Sequence, residues 1–220
     1  MIALDLIIVY FTLTLWEWVL HAKVMHGDPD QLRRVPIVGP TLAKVAADHL
    51  AHHIDVQIDM TLKGDAHESG LFFSWQTTIV GTLLVFATLK TARMGTTQAL
   101  SLSITASLLM SVLWNSWHAS MHGTDLTVDA KKGMPRWKGL SRGPLYRWLW
   151  KYHAIHHSQK GQKYNFNIIF PGFDWLMGTY KSHCFDNTAY CEENQQDGRC
   201  NQTKRHCYTD VDVLPKMSME

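Results

Sequence analysis

Ten of the thirteen histidines in the chain lie in four tight clusters. The clusters have the forms HX4H, HX2HH, HX3H and HX2HH, and they comprise His21 and His26; His49, His52 and His53; His118 and His122; and His153, His156 and His157. Residues i, i+3 and i+4 of an α-helix share one face. Each HX2HH cluster therefore projects three imidazoles together, and the HX3H pair does the same for two.

The HX4H pair does not fit this geometry. His21 and His26 would stand about 140° apart on an ideal α-helix. We therefore expect the helix to end or to distort between them, near Gly27.

Convergent imidazoles indicate metal binding. Neutral imidazole is the commonest metal ligand in proteins and suits iron, zinc, copper and nickel. A single ion takes about four to six ligands, so ten histidines fit two ions better than one. His67, His183 and His206 stand alone in the sequence and are predicted not to be ligands, although His183 is the nearest of them to the core region.

Three stretches could cross a membrane, because a helix needs roughly 20 apolar residues to do so. They are residues 2–20, which contain Asp5 and Glu17, and residues 69–89 and 94–117, which contain no charged residue. The alternative for the last two is a pair of buried helices in a soluble protein. A mean hydropathy of −0.14 excludes a chain that is embedded throughout.

Three spans would place every histidine cluster on one face of the membrane. Five Lys and Arg residues lie in 22–70, two in 90–93 and fourteen beyond residue 117, so the positive-inside rule predicts that the histidine face is cytoplasmic. A net charge of only +2 gives no argument for a nucleic-acid partner. We predict an all-α, integral-membrane chain with about three spans and with its histidine clusters on the cytoplasmic face.

The remaining segments suggest two units, a membrane metal-binding domain over residues 1–182 and a cysteine-containing tail over 183–220. Within the first unit, residues 27–48 read as a loop leading into a short helix, and residues 123–143 read as irregular. Residues 143–157 combine a proline near the start with an aromatic and basic mixture, which predicts a helix at the membrane interface.

The ordered set of four histidine clusters resembles the fatty acid hydroxylase / sterol desaturase superfamily. The segment YHAIHHSQKGQKYNFNIIFPGFDWLMGTY, residues 152–180, also resembles that family's last histidine box and its closing aromatic–Asp–aromatic and Gly-Thr element. The resemblance covers roughly residues 10–180. The four-cluster pattern carries it, since any one cluster is common in unrelated proteins.

The resemblance implies an all-α membrane helical bundle with a cytosolic, histidine-rich helical cap. It also implies a non-haem di-iron centre that uses dioxygen and two electrons to attack an unactivated C–H bond of a lipid. All ten clustered histidines match ligand positions, and no catalytic residue is implied beyond the ligands. The implied products are hydroxylated or desaturated fatty acyl chains, sterols, carotenoids or ether lipids. Two iron ions are the implied cofactor, with zinc as a substitute in isolated protein, and the implied compartment is the endoplasmic reticulum or a bacterial inner membrane.

The sequence departs from the family pattern in three places. Thirty residues separate His122 from His153, which is long for the family and is read as a surface loop in preference to a substrate lid. No cytochrome b5 domain is fused to the chain, so a separate donor of the cytochrome b5 or ferredoxin type must supply electrons. Cysteines Cys184, Cys191, Cys200 and Cys207 close the chain. They could be plain thiols, disulfides or a small metal site, and a cytoplasmic tail favours thiols.

Metal-bound histidines usually donate their second N–H to a carboxylate or a carbonyl. Candidates for this supporting role are Glu17, one turn before His21, and Asp48, Asp55 and Asn115. The alternatives to a lipid hydroxylase are a desaturase with the same centre and a non-enzymatic membrane protein that binds or transports metal. Transporters usually place their ligands near the middle of the spans, whereas these clusters lie at span ends and beyond.

Overall fold

A computed structural model describes residues 2–57, 60–62, 73–123, 143–158, 162–181, 184–186 and 205–207. The helices, in chain order, are α1 (Ile2–Val19), which continues as a π-helical segment (Leu20–Met25), then α2 (Pro29–Leu32), α3 (Gly39–Asp55), α4 (Trp75–Thr91), α5 (Thr96–Met121), α6 (Pro144–His157) and α7 (Phe173–Leu176). Two short strands follow, β1 (Cys184–Asp186) and β2 (Arg205–Cys207).

Three long helices, α1, α4 and α5, pack against one another as a bundle. The side chain of Gln98 donates a 2.7 Å hydrogen bond to Asp5, which joins the N-terminal ends of α5 and α1. Near the other end of these helices, the rings of His21 and Trp114 lie 6.2 Å apart. The helices α1 and α5 therefore run parallel. The helix α4 runs antiparallel to both and is connected to α5 by the tight turn at 92–95.

The segments Leu4–Met25 and Thr96–Met121 are long and apolar enough to cross a membrane. Only 39% and 33% of their apolar stretches are buried, whereas the core helix of a soluble protein would be mostly buried. Large apolar side chains are exposed along all three long helices: Leu4, Leu6, Ile7, Phe11, Ile79, Val80, Leu83, Leu100, Ile104 and Leu109. A continuous apolar surface of this kind favours contact with lipid over contact with water.

The predicted middle span, 69–89, corresponds only in part to α4. Residues 69–72 lie outside the described residues, and α4 covers 17 residues, or about 26 Å of helix. A bilayer core is about 30 Å thick. Two helices of the described chain therefore meet the length for spanning, and the third predicted span stays a prediction.

The shorter predicted helices form with slightly different ends. The one expected before His53 is α3, and the predicted interfacial helix is α6, with Pro144 in its first turn. Gly123 and Gly143 bound the predicted irregular segment, and residues 124–142 between them lie outside the described residues.

The C-terminal tail contains an element that the sequence did not predict. Strands β1 and β2 pair antiparallel, with Cys184 opposite Cys207 in the register. A three-residue strand has no periodic pattern to reveal it, so an all-helical prediction misses it. Cys191 and Cys200 lie outside the described residues, and the chemical state of the four cysteines stays open.

Gly39, the first residue of α3, lies in close contact with the backbone at the end of α2. A Cβ atom at this position would lie 2.3 Å from the carbonyl oxygen of Arg33 and 2.9 Å from that of Leu32. These are backbone atoms, so the chain would have to move to make room. The position matters for the site because α3 carries His49, His52 and His53.

We expect the Gly39→Ala substitution to destabilise the protein by about 2 kcal/mol, since strain of this kind is among the larger single-residue effects. The melting temperature of the detergent-solubilised protein should fall by several degrees. Gly95→Ala is the matched control, because Gly95 has φ −57° and nothing within 4 Å of the added Cβ. Equal melting temperatures for the two variants would contradict the close packing of α2 on α3.

Candidate metal centre

Five histidines form the first of two groups at the end of the bundle. Their ligand nitrogens all lie within 4.8 Å of one another, and the group comprises His21, His26, His49, His53 and His156. The Nε2 atom of His49 is central: it lies 3.0 Å from that of His21, 3.1 Å from that of His26 and 3.2 Å from that of His53. The Nε2 atoms of His26 and His156 are 3.0 Å apart.

The second group brings together the other clustered histidines. The ligand nitrogens of His52, His118, His122 and His157 lie within 4.8 Å of one another. His153 adjoins them, because its Nε2 atom lies 3.1 Å from those of His122 and His157. The structure thus brings all ten clustered histidines together in two groups of five. His67 and His183 lie outside the described residues, and His206 lies in β2.

Hydrogen bonding among the histidines cannot account for this convergence. A neutral imidazole carries one N–H, so at least one of its two nitrogens is a bare acceptor. Three other Nε2 atoms lie within 3.2 Å of His49 Nε2, and one proton can satisfy only one such contact. Both nitrogens of His52 are buried without a hydrogen-bond partner among the described residues. Lone pairs aimed at a common point fit a bound cation.

Burial keeps these imidazoles in the form that binds metal. Loss of solvent lowers the pKa of His49, His52, His53 and His156 well below the usual range, and neighbouring imidazoles lower it further. Burial also lowers the pKa of His26 to about 4. The rings are therefore neutral at physiological pH, and a neutral ring offers a lone pair to a metal.

A π-helical turn explains the HX4H spacing. The amide of His26 donates a 3.0 Å hydrogen bond to the carbonyl oxygen of His21, which is the i to i−5 pattern of a π-helix. This wider turn brings residues five apart to one side, and the two rings lie 5.2 Å apart. The distortion expected between the two histidines is therefore present, and it precedes Gly27.

Each HX2HH cluster divides its histidines between the two groups. On α3, His49 and His53 face the first group and His52 faces the second. On α6, His156 faces the first group, while His157 faces the second and His153 adjoins it. The helices α3 and α6 therefore contribute histidines to both groups. His21 and His26 belong to the first group, and His118 and His122 belong to the second.

Backbone carbonyls orient three of the rings. The Nδ1 atoms of His21 and His156 lie 2.7 Å from the carbonyl oxygens of Phe166 and Tyr164, and Nδ1 of His122 lies 3.0 Å from that of Met60. A carbonyl can only accept, so Nδ1 carries the proton and donates it. Nε2 is then the bare nitrogen and faces the group.

Two buried carboxylates hold the loop that supplies two of these carbonyls. Asp174 accepts hydrogen bonds from the amides of Phe166 (3.1 Å) and Asn167 (2.8 Å), and from the hydroxyl groups of Thr179 (2.5 Å) and Tyr152. Glu17 accepts hydrogen bonds from the amides of Ile169 and Phe170, at 2.7 and 2.9 Å.

Two of the four predicted supporting residues contact groups other than the histidines. Glu17 hydrogen-bonds to the loop that carries the Phe166 carbonyl, while Asp48 forms an ion pair with Lys44 on the surface. Asn115 exchanges two hydrogen bonds with the backbone of Phe73, and Asp55 ends α3. Asp174 lies in the aromatic–Asp–aromatic element noted in the sequence, but it was not predicted as a supporting residue.

A family model described as fatty acid hydroxylase matches residues 6–179. The chain belongs to the fatty acid hydroxylase family. This match confirms the resemblance found in the sequence and includes all ten clustered histidines. No curated protein and no solved structure matches the chain.

If both groups bind metal, we expect purified wild-type protein to contain two ions per chain. His49→Ala should reduce the content towards one, because it removes the central ligand of the first group and leaves the second intact. Elemental analysis of the protein loaded with iron or zinc would measure this. His67→Ala is the control and should retain two ions. Two ions in His49→Ala, or one in the wild type, would contradict a pair of separate sites.

The Asp174→Ala substitution should destabilise the protein by about 3 kcal/mol, because it leaves several buried donors without an acceptor. It should also weaken metal binding by about tenfold or more, since the loop would no longer hold the Phe166 and Tyr164 carbonyls. Thermal unfolding and metal titration would test the two effects. Asp48→Ala is the control, because a surface ion pair contributes less than about 1 kcal/mol. The same metal affinity in both variants would contradict the role of the loop.

Proposed function

We propose that the protein is a non-haem di-iron membrane oxygenase that hydroxylates a C–H bond of a lipid, using dioxygen and two electrons. The lipid is a fatty acyl chain, a sterol or a carotenoid. The observation that carries the proposal is the pair of five-histidine groups, joined through α3 and α6, in a chain of the fatty acid hydroxylase family. We assign the ten clustered histidines as the ligands of the two ions.

The donor set fits iron, although imidazole alone does not select it over zinc. Family membership supports iron, because hydroxylation requires a metal that changes oxidation state and zinc does not. When bound, the two iron ions would supply the redox chemistry that activates dioxygen. The histidines would hold the ions and remain neutral, so no histidine needs to act as an acid or a base.

A groove between the long helices supports a lipid substrate. It comprises about 530 Å³ of space between atoms, counted together with the solvent at its mouth, and its lining includes Leu13, Val85 and Met110 from α1, α4 and α5. The groove reaches His21 of the first histidine group and the neighbouring Trp114. An apolar chain in the groove could therefore bring a carbon close to the metal centre while its remaining length displaces water.

The buried loop around Asn167 would hold the adjacent histidines in a fixed geometry. Its backbone is held by Glu17 and Asp174, and the side chain of Asn167 donates a 2.7 Å hydrogen bond to the carbonyl oxygen of Thr14. These contacts fix α1 relative to the loop. The reacting carbon of a bound lipid would then meet a centre of fixed geometry, as catalysis by proximity and orientation requires.

We infer a multi-pass topology with the histidine face in the cytoplasm. Supporting it, both candidate spans end at the histidine groups, and fourteen of the twenty-one Lys and Arg residues follow residue 117. A separate donor of the cytochrome b5 or ferredoxin type would deliver electrons on that face. The membrane would be the endoplasmic reticulum in a eukaryote or the inner membrane in a bacterium.

The decisive experiment compares lipids from cells that express wild-type protein with lipids from cells that express His157→Ala, under ¹⁸O₂. We expect a wild-type-specific lipid that gains one labelled oxygen atom, and no such product without oxygen. His67→Ala should retain the activity, since His67 lies outside the clusters. Loss of two hydrogens without gain of oxygen would identify a desaturase. Metal uptake into vesicles, with no lipid product, would identify a transporter and refute the oxygenase.

A further inference from the structure

Ser107 on α5 differs from the other serines of its helix. The hydroxyl groups of Ser103 and Ser116 donate 2.6 Å hydrogen bonds to carbonyl oxygens one turn earlier, and that of Ser111 lies 2.7 Å from the hydroxyl oxygen of Thr78. Ser107 is only 4% exposed, yet its hydroxyl group has no hydrogen-bond partner among the described residues. Buried polar groups usually have a partner, so this hydroxyl group requires an explanation.

The hydroxyl group of Ser107 faces the groove. Ser107 lines it, and so does Gly81 on the neighbouring helix α4. A Cβ atom added at Gly81 would lie 3.8 Å from the Ser107 hydroxyl oxygen, so the glycine leaves open the space beside that oxygen. The groove therefore contains one unsatisfied polar group within a largely apolar lining, which is the arrangement that selects a ligand by one polar atom.

The depth of Ser107 indicates which part of a ligand it would meet. Ser107 precedes Trp114, at the other end of the groove on α5, by seven residues, which corresponds to about 10 Å along the helix axis. The groove extends from this depth to His21 at the metal centre. A ligand that contacts both ends must therefore carry its polar atom far from the carbon that lies at the centre.

We propose that the groove binds a lipid with an oxygen function, a hydroxyl or a carbonyl group, which hydrogen-bonds to Ser107 at a distance from the carbon to be oxidised. This inference rests on the proposed function, because it names the class of substrate for the same centre. It makes Ser107 a specificity-determining residue. A pure hydrocarbon chain would leave the hydroxyl group unsatisfied and would bind less tightly.

The test uses metal-loaded, detergent-solubilised protein without oxygen or electron donor, so that binding is measured in the absence of turnover. The probes are octadecane and its mid-chain ketone, and the lipid retained by the protein is measured by mass spectrometry. We expect the wild type to bind the ketone about tenfold more tightly than the alkane, as one buried hydrogen bond predicts. Ser107→Ala should abolish this preference, and Ser107→Thr should retain it.

Ser103→Ala is the matched control, because Ser103 is equally buried on α5 but bonds to its own helix and does not line the groove. It should keep the preference for the ketone. A wild type without the preference, or a Ser107→Ala variant that keeps it, would overturn the proposal. A clear preference in a protein that forms no oxygenated product would uphold the binding site and refute the oxygenase, so the two failures can be distinguished.

Discussion

Ten imidazoles that converge at one end of the helical bundle, most of them buried, impose the strongest constraint on this structure. Each ring has a bare nitrogen, and the bare nitrogens lie too close together to be satisfied by the few protons available. For rings outside the candidate spans, such as His49, His52 and His156, protonation offers no relief, because burial lowers their pKa well below the usual range. The arrangement would become favourable if cations occupied it. Folding of this end of the protein and metal binding would then be linked.

The other elements make this convergence possible. The helices α3 and α6 each contribute to both groups, so a displacement of either helix disturbs both. The π-helical turn brings His21 and His26 to one side, which an α-helix could not do. Asp174 and Glu17 are buried far from water and hold a loop whose carbonyls orient His21 and His156. Two buried acids thus help to orient two of the clustered histidines through a backbone loop.

The sequence predicted the convergence of the clustered histidines because helical periodicity links spacing to direction. HX2HH and HX3H fix the relative directions of side chains before any tertiary contact is known, and His21 and His26 stood out because their spacing broke the rule. The split of each HX2HH between two groups could not be predicted, since it depends on how α3 packs against α6. The orienting groups were missed for a different reason. They are mainly backbone carbonyls, which every residue possesses, so no side-chain pattern reveals them.

The prediction of membrane spans also succeeded only in part. The first and third predicted spans are long apolar helices, whereas the 17-residue helix α4 is shorter than a bilayer core, and residues 69–72 of the predicted middle span lie outside the described residues. The groove was not predictable from any single segment. It exists because Gly81, Val85 and Ser107 meet across α4 and α5, and the sequence does not specify which faces of two uniformly apolar helices come together.

The position of α6 in the chain determines the order in which the centre can be assembled. Three histidine clusters emerge from the ribosome before α6, and at that stage each group lacks the ligand or ligands that α6 provides. The orienting loop emerges later still, ending with Asp174. A nascent chain that has emerged as far as residue 150 therefore carries seven clustered histidines, four of the first group and three of the second. Neither group has all five of its histidines until residues 156 and 157 have been synthesised.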